Sequence, residues 1–258
     1  MSASNVPYSH VVIPARYGSS RLPAKPLLDL VGLPMIVRVF NRVRSTLPDT
    51  DVVVAIDDQR IATVLEQHGV PYVLTAPEHP SGTDRIAEVA RIRQWPGEDI
   101  IINVQGDEPL VPASLLSAFS ALCRTADDLQ MASIVAPLTT VDEVDNPNIV
   151  KVALDQHDRA IFFSRSAIPF CRELPKGEWP LAAYHRHIGI YAYRCSVLRA
   201  LTQAPVGELE GLEKLEQLRA LWLGYSIRML KWPTQVPHGV DTPQDAERVR
   251  QILIGGTE

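Results

Sequence analysis

The stretch HVVIPARYGSSRLPAKP, residues 10–26, joins a short apolar segment to a loop that contains Arg16, Arg21 and Lys25. The apolar segment is rich in β-branched residues, which predicts a strand buried inside a sheet. In open parallel sheets, ligands bind at the carboxyl ends of the strands. Three cations at such a strand end form a local positive site on a chain whose formal net charge is -5. The stretch therefore predicts an α/β fold with a site for a small anion at the edge of its sheet.

The segments after this loop alternate between strand-like and helix-like patterns. Continuous apolar runs at residues 52–56 and 100–102 are typical of strands buried on both faces, and helical spacing of apolar residues follows each. This alternation predicts a mostly parallel sheet flanked by helices. From about residue 148 we expect a hairpin with its turn at 156–158, then a further strand, one helix over 211–224 and another strand. The whole is expected to be one mixed α/β domain with an antiparallel subregion.

Composition excludes several classes of protein. The chain has 258 residues, of which 46% are hydrophobic and 21% charged, as in globular proteins with a substantial core. Its acidic net charge argues against a nucleic-acid or anionic-membrane surface. We expect neither a secretory signal nor a membrane span, because no segment has the required apolar length. Cys123, Cys171 and Cys195 form no C-x-x-C pair and are odd in number, which disfavours a disulfide scaffold or a structural zinc site, so reduced thiols in a cytoplasmic protein are expected.

The first loop matches neither of the common phosphate-binding fingerprints. It lacks the G-x-G-x-x-G spacing of dinucleotide-binding folds and the G-x-x-x-x-G-K-[ST] spacing of P-loops. Its small residues at 18–20 still allow backbone N–H groups to approach phosphate oxygens. Its three cations can neutralise phosphate charge, and arginine can do so through two parallel hydrogen bonds. A triphosphate site and a solvated basic loop both remain open on this observation.

Two acidic motifs indicate a metal site next to this loop. NVQGDEP follows a predicted strand and places Asp107 and Glu108 at its end. Mg²⁺ at phosphate sites usually takes one or two carboxylates together with substrate phosphates. Asp241 lies in GVDTP, directly before a helix for which Thr242 is the expected N-cap. The alternatives are a solvated turn for the first motif and a favourable helix N-terminal charge for Asp241.

A later strand and helix offer polar side chains for a second ligand. Alternation of side chains puts four residues of one strand on a common face: His185, His187, Gly189 and Tyr191. The glycine leaves a gap for a ligand, whereas the structural alternative is a core histidine beside a closely packed strand. Zinc is disfavoured because no third nitrogen or sulfur ligand is evident. Glu216 and Gln217 interrupt an apolar helical stripe and either face solvent or reach a polar substrate. The stripe consists of Leu212, Leu215, Leu218 and Leu221.

Eight motifs occur in a fixed order over nearly the whole chain. They are VVIPARYGSSRLPAKPL, SGTDR, NVQGDEP, NPNIVKV, FSRSAIP, RHIGIYAYR, LEQLR and GVDTPQDAERV. Together they resemble the 3-deoxy-manno-octulosonate cytidylyltransferases, also called CMP-Kdo synthetases. The related acylneuraminate cytidylyltransferases share the cationic loop but not the combination of NVQGDEP, LEQLR and GVDTP. The resemblance therefore indicates the first of these families.

The resemblance implies a fold and an activity. It implies a Rossmann-like nucleotidyltransferase fold in a single domain over residues 1–258. A nucleotide-binding part would cover about 8–140 and 236–254, and a sugar-binding and dimerisation part about 141–235. The enzyme would convert CTP and an eight-carbon acidic 2-keto-3-deoxy sugar into CMP-sugar and pyrophosphate, for lipopolysaccharide synthesis. It would be a cytoplasmic, Mg²⁺-dependent homodimer without nucleic-acid binding or membrane insertion.

Carried over by position, the resemblance also implies roles for individual residues. The residues implied in CTP binding are Ala15, Arg16, Gly18, Ser19, Arg21, Lys25, Ser81 and Gln105. The implied metal ligands are Asp107 and Asp241, and catalysis would depend on them together with Arg16, Arg21 and Lys25. The residues implied in sugar binding are Arg165, His187, Tyr191, Glu216 and Gln217, with Arg165 as partner of the sugar carboxylate. No residue is indicated as a general base.

Several questions remain open on the sequence. Ala24 and Leu33 replace residues common in the family, with little bearing on chemistry, but the unusual segment 171–186 lies near the sugar side. Kdo and an amino-substituted Kdo therefore both remain possible, as does an acylneuraminate-type substrate. A nucleotide-sugar-dependent glycosyltransferase could use the same scaffold. A non-catalytic nucleotide-binding regulator is disfavoured because both metal aspartates are present.

Two further expectations concern specificity and assembly. The family resemblance predicts that CTP is preferred over ATP and GTP. Residues 148–195 are expected to form a dimer interface, because a small subregion cannot readily bury several large apolar side chains alone. Ordinary core is the alternative for these side chains, which are Phe162, Phe163, Ile168 and Phe170.

Overall fold

The computed structural model describes residues 8–18, 22–126 and 128–256. The strands are β1 (Ser9–Ala15), β2 (Asp51–Ile56), β3 (Tyr72–Leu74), β4 (Ile100–Asn103), β5 (Met131–Pro137), β6 (Lys151–Leu154), β7 (Ala160–Ser164), β8 (His185–Arg194) and β9 (Ile227–Lys231). The α-helices are α1 (Met35–Thr46), α2 (Gln59–Gln67), α3 (Gly82–Ile92), α4 (Ala113–Thr125), α5 (Val141–Asp145), α6 (Cys195–Gln203), α7 (Glu208–Glu213), α8 (Gln217–Trp222) and α9 (Pro243–Gly255).

The central sheet is mostly parallel, as predicted. Its main path runs in the order β3-β2-β1-β4-β8-β5-β9. Strands β1 to β4 pair in parallel, and β5 pairs in parallel with β9. Strand β8 lies between β4 and β5 and is antiparallel to both. The antiparallel element expected in the second half of the chain is therefore inserted into the middle of the sheet.

The predicted hairpin is formed by β6 and β7. These strands pair antiparallel, and β6 also pairs with β8, which attaches the hairpin to the main sheet. The turn is closed by Asp155, whose side chain accepts hydrogen bonds from the backbone N–H groups of His157 and Arg159. An aspartate at this position favours a turn because its side chain bonds the backbone two residues further on. Asp158 adopts a positive φ of 57°, which completes the reversal.

Helices cover both faces of the sheet. Val11 and Ile13 of β1 are fully buried against α1, α2 and α4, whereas Val12 is fully buried on the opposite face, which α3, α6 and α8 cover. Successive side chains of a strand point to opposite faces, so a strand buried on both sides needs a continuous apolar run. Each fully buried aliphatic side chain contributes roughly 1.5–3 kcal/mol to the free energy of unfolding. No helix in the described ranges is long and apolar enough to cross a membrane.

The prediction of one helix over residues 211–224 was wrong. The structure has two short helices, α7 and α8, and the chain between them bends at Lys214, whose φ of 53° is left-handed. Glu210 and Arg219 form a largely buried ion pair. They are nine residues apart, and a continuous helix of 3.6 residues per turn would place them on opposite sides. The bend allows them to meet, and it leaves Leu212 80% exposed, outside the expected apolar stripe.

Gly106 brings the end of β4 against the end of β1. A Cβ atom at Gly106 would lie 2.7 Å from the carbonyl oxygen of Pro14, closer than real side chains approach backbone. The NVQGDEP loop can therefore pack directly on the exit of the first strand only because this residue is glycine. A second backbone contact, from the Val240 N–H to the Asp107 carbonyl at 2.9 Å, attaches the segment before α9 to the same loop. These two contacts assemble one edge of the sheet from three distant parts of the chain.

Candidate active site

A cleft of about 370 Å³ opens at the carboxyl ends of β1 and β4, between the starts of α3 and α9. This is the edge at which parallel sheets bind ligands. Its lining includes seven of the residues implicated by the sequence: Ala15, Arg16, Lys25, Ser81, Gln105, Asp107 and Asp241. Glu216, implied in sugar binding, also lines it. Ser19 and Arg21, which were expected here, lie outside the described residues, and Gly18 is described but is not part of the lining.

Lys25 connects the two aspartates of the expected metal site. Its Nζ lies 2.6 Å from Oδ2 of Asp107 and 3.0 Å from Oδ1 of Asp241. Burial alone would lower the pKa of Lys25, but the charges and hydrogen bonds of the two carboxylates outweigh it and raise the pKa. The lysine is therefore fully protonated at neutral pH. Carboxylates that are 134 positions apart in the sequence share one ammonium group.

Helix capping does not explain the position of Asp241. Thr242 is the N-cap of α9, and its side chain accepts a hydrogen bond from the Asp245 N–H in a capping box. The backbone N–H of Asp241 donates to Asp245, while its own carboxylate faces Lys25. The capping role considered as an alternative for Asp241 thus belongs to Thr242 and Asp245. Pro243 in the first helical turn suits this start.

Asp57 and Arg85 hold the other side of the cleft. Asp57 follows β2, accepts a hydrogen bond from the Tyr17 N–H at 2.9 Å and contacts a guanidinium nitrogen of Arg85 at 3.3 Å. Arg85 is buried and also donates to the Thr75 hydroxyl and the Ala76 carbonyl. Burial lowers the pKa of Arg85, against the opposing charge of Asp57. Arg85 lines the cleft, and its place in the SGTDR motif was the available signal for a residue that sequence reasoning missed.

Ser81 and Gln105 both line the cleft. Ser81 is the N-cap of α3, where its side chain accepts from the Asp84 N–H, so its backbone stands at the positive end of a helix. The Gln105 amide nitrogen donates to Asn103 and contacts the Gly189 carbonyl at 3.5 Å. His79, which sequence reasoning also missed, lines the cleft and is paired with the Glu88 carboxylate at 2.6 Å.

The residues implied in sugar binding are only partly brought together. His187 and Tyr191 share a face of β8, with ring centroids 5.3 Å apart, and a Cβ at Gly189 would meet no atom within 4 Å. The expected gap on this face is therefore present. Gln217 is buried and borders a small cavity of about 20 Å³ that Glu216 and Ser81 also line. Glu216 accepts a hydrogen bond from the Thr83 hydroxyl at 2.9 Å.

Arg165 is not among the residues that line the cleft. Its guanidinium donates to the carbonyl oxygens of Glu213 and Pro147, at 2.8 and 2.9 Å. Its own carbonyl accepts a hydrogen bond from the buried ammonium of Lys151 at 2.6 Å. Burial lowers the pKa of Lys151. In this structure Arg165 is bound to the main chain of its surroundings rather than directed toward the cleft.

Glu108 is a second acidic residue of the NVQGDEP loop, directly after Asp107. Burial, and then the charge of neighbouring Asp107, raise the pKa of Glu108 to about 8, although Arg186 opposes this. A Cβ at Gly239 would lie 3.1 Å from the Glu108 carboxylate, so the segment before Asp241 packs tightly on it. Arg186 fixes the same segment by donating to the Val236 carbonyl and to Nδ1 of His238. None of these contacts is evident from sequence spacing.

The donor set fits a hard cation that takes part of its shell from a ligand. Within residues 8–18, 22–126 and 128–256, no group of three or more His, Cys, Asp or Glu side chains is arranged to hold a metal ion. Asp107 and Asp241 nevertheless contact one ammonium group, which stands in for a cation between them. Mg²⁺ commonly binds through one or two carboxylates and substrate phosphates. The pair fits such a metal in the presence of a phosphate-bearing ligand.

Comparison with known proteins identifies close relatives. A family model described as cytidylyltransferase matches residues 10–227. A 3-deoxy-manno-octulosonate cytidylyltransferase 2 of Paraburkholderia phytofirmans is 57% identical over 256 residues, covering 98% of this chain and 97% of that protein. The protein of the same name from Burkholderia ambifaria is 54% identical over 246 residues, covering 95% and 92%. A solved structure of a CMP:2-keto-3-deoxy-manno-octonic acid synthetase complexed with CTP matches with a TM-score of 0.89 and 38% identity, covering 96% of this chain and 99% of that chain.

His187 provides a test of the electrostatics of β8. Its Nε2 lies 2.9 Å from the Ser133 hydroxyl, which also contacts the Ile190 carbonyl at 2.8 Å. Because the carbonyl can only accept, the hydroxyl donates to it and Nε2–H donates to the hydroxyl. Burial, and secondarily the charge of Arg186, lower the pKa of His187 to about 3. The folded protein therefore keeps this ring neutral where the unfolded chain is protonated.

We predict that His187→Gln reduces the loss of stability in mild acid. Below pH about 6.5 the unfolded parent binds a proton at His187 and the folded parent does not. The free energy of unfolding of the parent therefore decreases as the pH is lowered. Between pH 7 and 5 the variant should lose about 1–2 kcal/mol less than the parent. Urea unfolding at several pH values measures this, with exposed His68→Gln as the control for removal of a histidine. Parallel stability curves for parent and His187→Gln would contradict the assignment.

Proposed function

The chain belongs to the cytidylyltransferase family, as a nucleotidyltransferase of the 3-deoxy-manno-octulosonate type, and from this premise we propose how its cleft carries out the reaction. The substrates are CTP and Kdo, and the products are CMP-Kdo and pyrophosphate. The activated sugar, CMP-Kdo, is used in lipopolysaccharide synthesis. The observation that supports this use of the cleft best is the contact of Lys25 with both Asp107 and Asp241 at the carboxyl edge of the sheet. One positive charge and two carboxylates in one cleft support the binding of a triphosphate together with a cation.

The reaction is an in-line substitution at phosphorus. The anomeric hydroxyl oxygen of the sugar forms a bond to the α-phosphorus of CTP, and the bond from that phosphorus to the bridging oxygen of the β-phosphate breaks. Pyrophosphate leaves with the bonding electron pair, and the hydroxyl proton passes to solvent. Phosphoryl-transfer chemistry of this kind depends on positioning and on neutralising charge on the phosphate oxygens. No residue needs to form a covalent intermediate.

The cationic side chains of the cleft bind the triphosphate. Arg16 follows β1 directly and lines the cleft with Lys25. Arg21 has the same proposed role on the strength of the family resemblance. Ser81 at the start of α3 offers backbone N–H groups at a helix N-terminus, a favourable position for a phosphate or a polar base edge. Arg85 and Asp57 stabilise this side of the cleft, because the Asp57 carboxylate accepts hydrogen bonds from the Arg85 guanidinium and from the Tyr17 N–H of the first loop.

Asp107 and Asp241 would hold Mg²⁺ in this enzyme. When bound, the ion would neutralise charge on the α-phosphate and lower the pKa of the attacking sugar hydroxyl. The aspartates are kept in place by the protein itself, since the Val240 N–H donates to the Asp107 carbonyl and Arg186 holds the segment before Asp241. Two carboxylates beside bound phosphates also favour magnesium over softer metals.

The face of β8 is the proposed sugar side. His187, Tyr191 and the open space at Gly189 would accept the hydroxyl-rich sugar, with Glu216 and Gln217 at the border of the nucleotide cleft. Arg165 is proposed as the partner of the sugar carboxylate on the family resemblance alone. To bind that carboxylate, its guanidinium would have to break its hydrogen bonds to two backbone carbonyl oxygens. A glycosyltransferase would need an acceptor site in addition, and it would not release pyrophosphate from CTP.

We further propose a cytoplasmic homodimer. Cys123 and Cys195 are buried free thiols, in keeping with a reducing compartment. Phe163 is fully buried and belongs to the core, so the core alternative holds for that residue. Phe170 and Ile161, in contrast, are 77% and 60% exposed. Exposed apolar side chains on one hairpin and the loop that follows it favour an interface with a second copy of the chain.

The activity predicts a nucleotide preference. With Kdo and Mg²⁺ present, CTP should support pyrophosphate release, and ATP and GTP at matched concentrations should support much less. A coupled pyrophosphate assay measures each rate, and omission of the sugar is the control for hydrolysis. Equal rates with all nucleotides, or release that does not depend on the sugar, would refute the proposed reaction.

Substitution of the two aspartates tests their shared role. Asp241→Asn preserves size and can still accept a hydrogen bond from Lys25, so its melting temperature should stay near that of the parent. Its turnover should fall by about 10² or more, as for the loss of one electrostatic stabiliser. Asp107→Asn should behave alike, and the double variant should lose far less than the product of both, because the two act as a unit.

Asp245→Asn is the matched control for these variants. It removes a carboxylate from the same helix start, where Asp245 accepts hydrogen bonds from the Asp241 and Thr242 N–H groups and pairs with Arg248. It should lower the melting temperature with little effect on turnover. Multiplicative losses for Asp107→Asn and Asp241→Asn would show that the aspartates do not share one cation.

The dimer predicts a concentration-independent mass near twice that of the chain. Phe170→Asp should shift the protein toward monomer in light scattering at micromolar concentration, because a charge would be buried in the interface. Phe170 is largely exposed in one chain, so the substitution should leave the fold intact by circular dichroism. A monomeric parent would overturn the proposal.

A further inference from the structure

Lys25 occupies the place between the two carboxylates that a cation would share. Its Nζ is at hydrogen-bond distance from one oxygen of Asp107 and one of Asp241. The ammonium side chain is only 12% exposed, so it is held in the cleft rather than extended into solvent. The backbone behind it is fixed as well, since the Lys25 N–H donates to the Leu22 carbonyl and Lys25 begins a short 3-10 turn.

An ammonium group and a divalent cation compete for such a place. Mg²⁺ requires oxygen ligands at about 2.0–2.1 Å in octahedral geometry, which leaves no room for a lysine nitrogen between the same oxygens. The two positive charges would also repel each other strongly in a partly buried site. Lysine is suited to such an exchange, because its charge sits on a flexible four-carbon stem and can move several ångströms while the backbone stays in place.

We propose that Lys25 is an exchangeable internal cation, which offsets part of the negative charge of Asp107 and Asp241 in the nucleotide-free enzyme and transfers to the triphosphate when CTP binds. This inference rests on the proposed function, because it takes the triphosphate as the anion that draws the lysine away. The carboxylates then become available to a metal only together with the nucleotide. Metal affinity is thereby coupled to nucleotide binding through one side chain.

The geometry also explains what the exchange achieves. Asp107 and Asp241 approach each other closely enough to contact the same nitrogen, and without a cation their charges would repel. Lys25 relieves that repulsion before substrate arrives and so keeps the segment before α9 against the NVQGDEP loop. When Lys25 moves to the triphosphate, its positive charge offsets part of the negative charge of the phosphate oxygens.

Metal binding without nucleotide tests the proposal. Mn²⁺ is the probe, followed by the electron paramagnetic resonance signal of the free ion, in titrations of the full-length protein. The parent should bind Mn²⁺ weakly. Lys25→Met keeps the apolar stem but removes the charge, and it should bind Mn²⁺ at least about tenfold more tightly, because the competing cation is gone. Equal Mn²⁺ affinity for parent and Lys25→Met would overturn the proposal.

Two control variants locate the effect. Lys231→Met removes a surface ammonium that pairs with Asp158 and should leave Mn²⁺ binding as in the parent. The double variant Lys25→Met/Asp107→Asn should lose the gained affinity, since one of the two carboxylates is then missing. A gain that persists in the double variant would place the metal elsewhere and refute the exchange.

A stability measurement covers the case in which Lys25→Met folds poorly. The variant should melt at a lower temperature than the parent in EDTA, and Mg²⁺ alone should raise its melting temperature more than that of the parent. Lys25→Arg retains a cation and should resemble the parent in both titration and melting. If Lys25→Arg instead gained Mn²⁺ affinity as Lys25→Met does, loss of packing rather than loss of charge would be responsible, and the proposal would fail.

The nucleotide arm separates this inference from the proposed function. A non-hydrolysable α,β-methylene analogue of CTP should raise the Mn²⁺ affinity of the parent by at least about tenfold and that of Lys25→Met by less, because only the parent has a lysine to displace. Equal enhancement in both proteins would refute the exchange even if the parent released pyrophosphate from CTP. Exchange seen without any turnover of CTP would leave the lysine assignment intact and refute the proposed reaction.

Discussion

The ammonium of Lys25 between Asp107 and Asp241 is the interaction on which the geometry of the cleft depends. The two carboxylates come from a loop after β4 and from the segment before α9, respectively 82 and 216 positions from the lysine. A separate local feature of the chain positions each of these two segments. Gly106 permits the NVQGDEP loop to pack on the Pro14 carbonyl, and Thr242 is the N-cap of α9, so that Asp241 directly precedes this helix. These backbone contacts bring the two segments to the same edge of the sheet. The attraction between the Lys25 ammonium and the two carboxylates then fixes the side chains within the cleft.

Much of the fold could be predicted because its determinants are local. Strands buried on both faces need continuous β-branched runs, and turns and caps need aspartate, serine, threonine or glycine at particular positions. The hairpin with its turn at 156–158 and Thr242 as the N-cap of the last helix follow from such rules and are present as predicted. The prediction of a single helix over 211–224 was wrong because a non-local contact decides the structure there. The break at Lys214 serves the Glu210–Arg219 ion pair, a tertiary contact that apolar spacing does not encode.

The same division holds for the candidate site. Lys25, Asp107, Ser81 and Gln105 follow or begin regular elements, so their convergence at one sheet edge could be anticipated. Arg85 was missed as a site residue because its importance comes from burial and from a partner that is distant in the chain. Arg165 shows the converse, since its motif suggested a ligand contact while its guanidinium is engaged by two carbonyl oxygens. Spacing identifies residue types that suit a ligand, but the partners of a side chain are decided by packing.

Strand β8 explains how two halves of the site are held in register. It runs opposite to its neighbours, so its first residues extend beyond the end of β4, whose last residue Asn103 pairs with Tyr191. The reversed strand therefore delivers its amino-terminal half to the edge where parallel strands deliver their carboxyl ends. Successive residues then point to opposite faces. Arg186 reaches the segment that carries Asp241, while His187 packs beside Tyr191 and Phe163 on the other face. One strand thus contacts both the segment that carries Asp241, through Arg186, and the proposed sugar side, through His187.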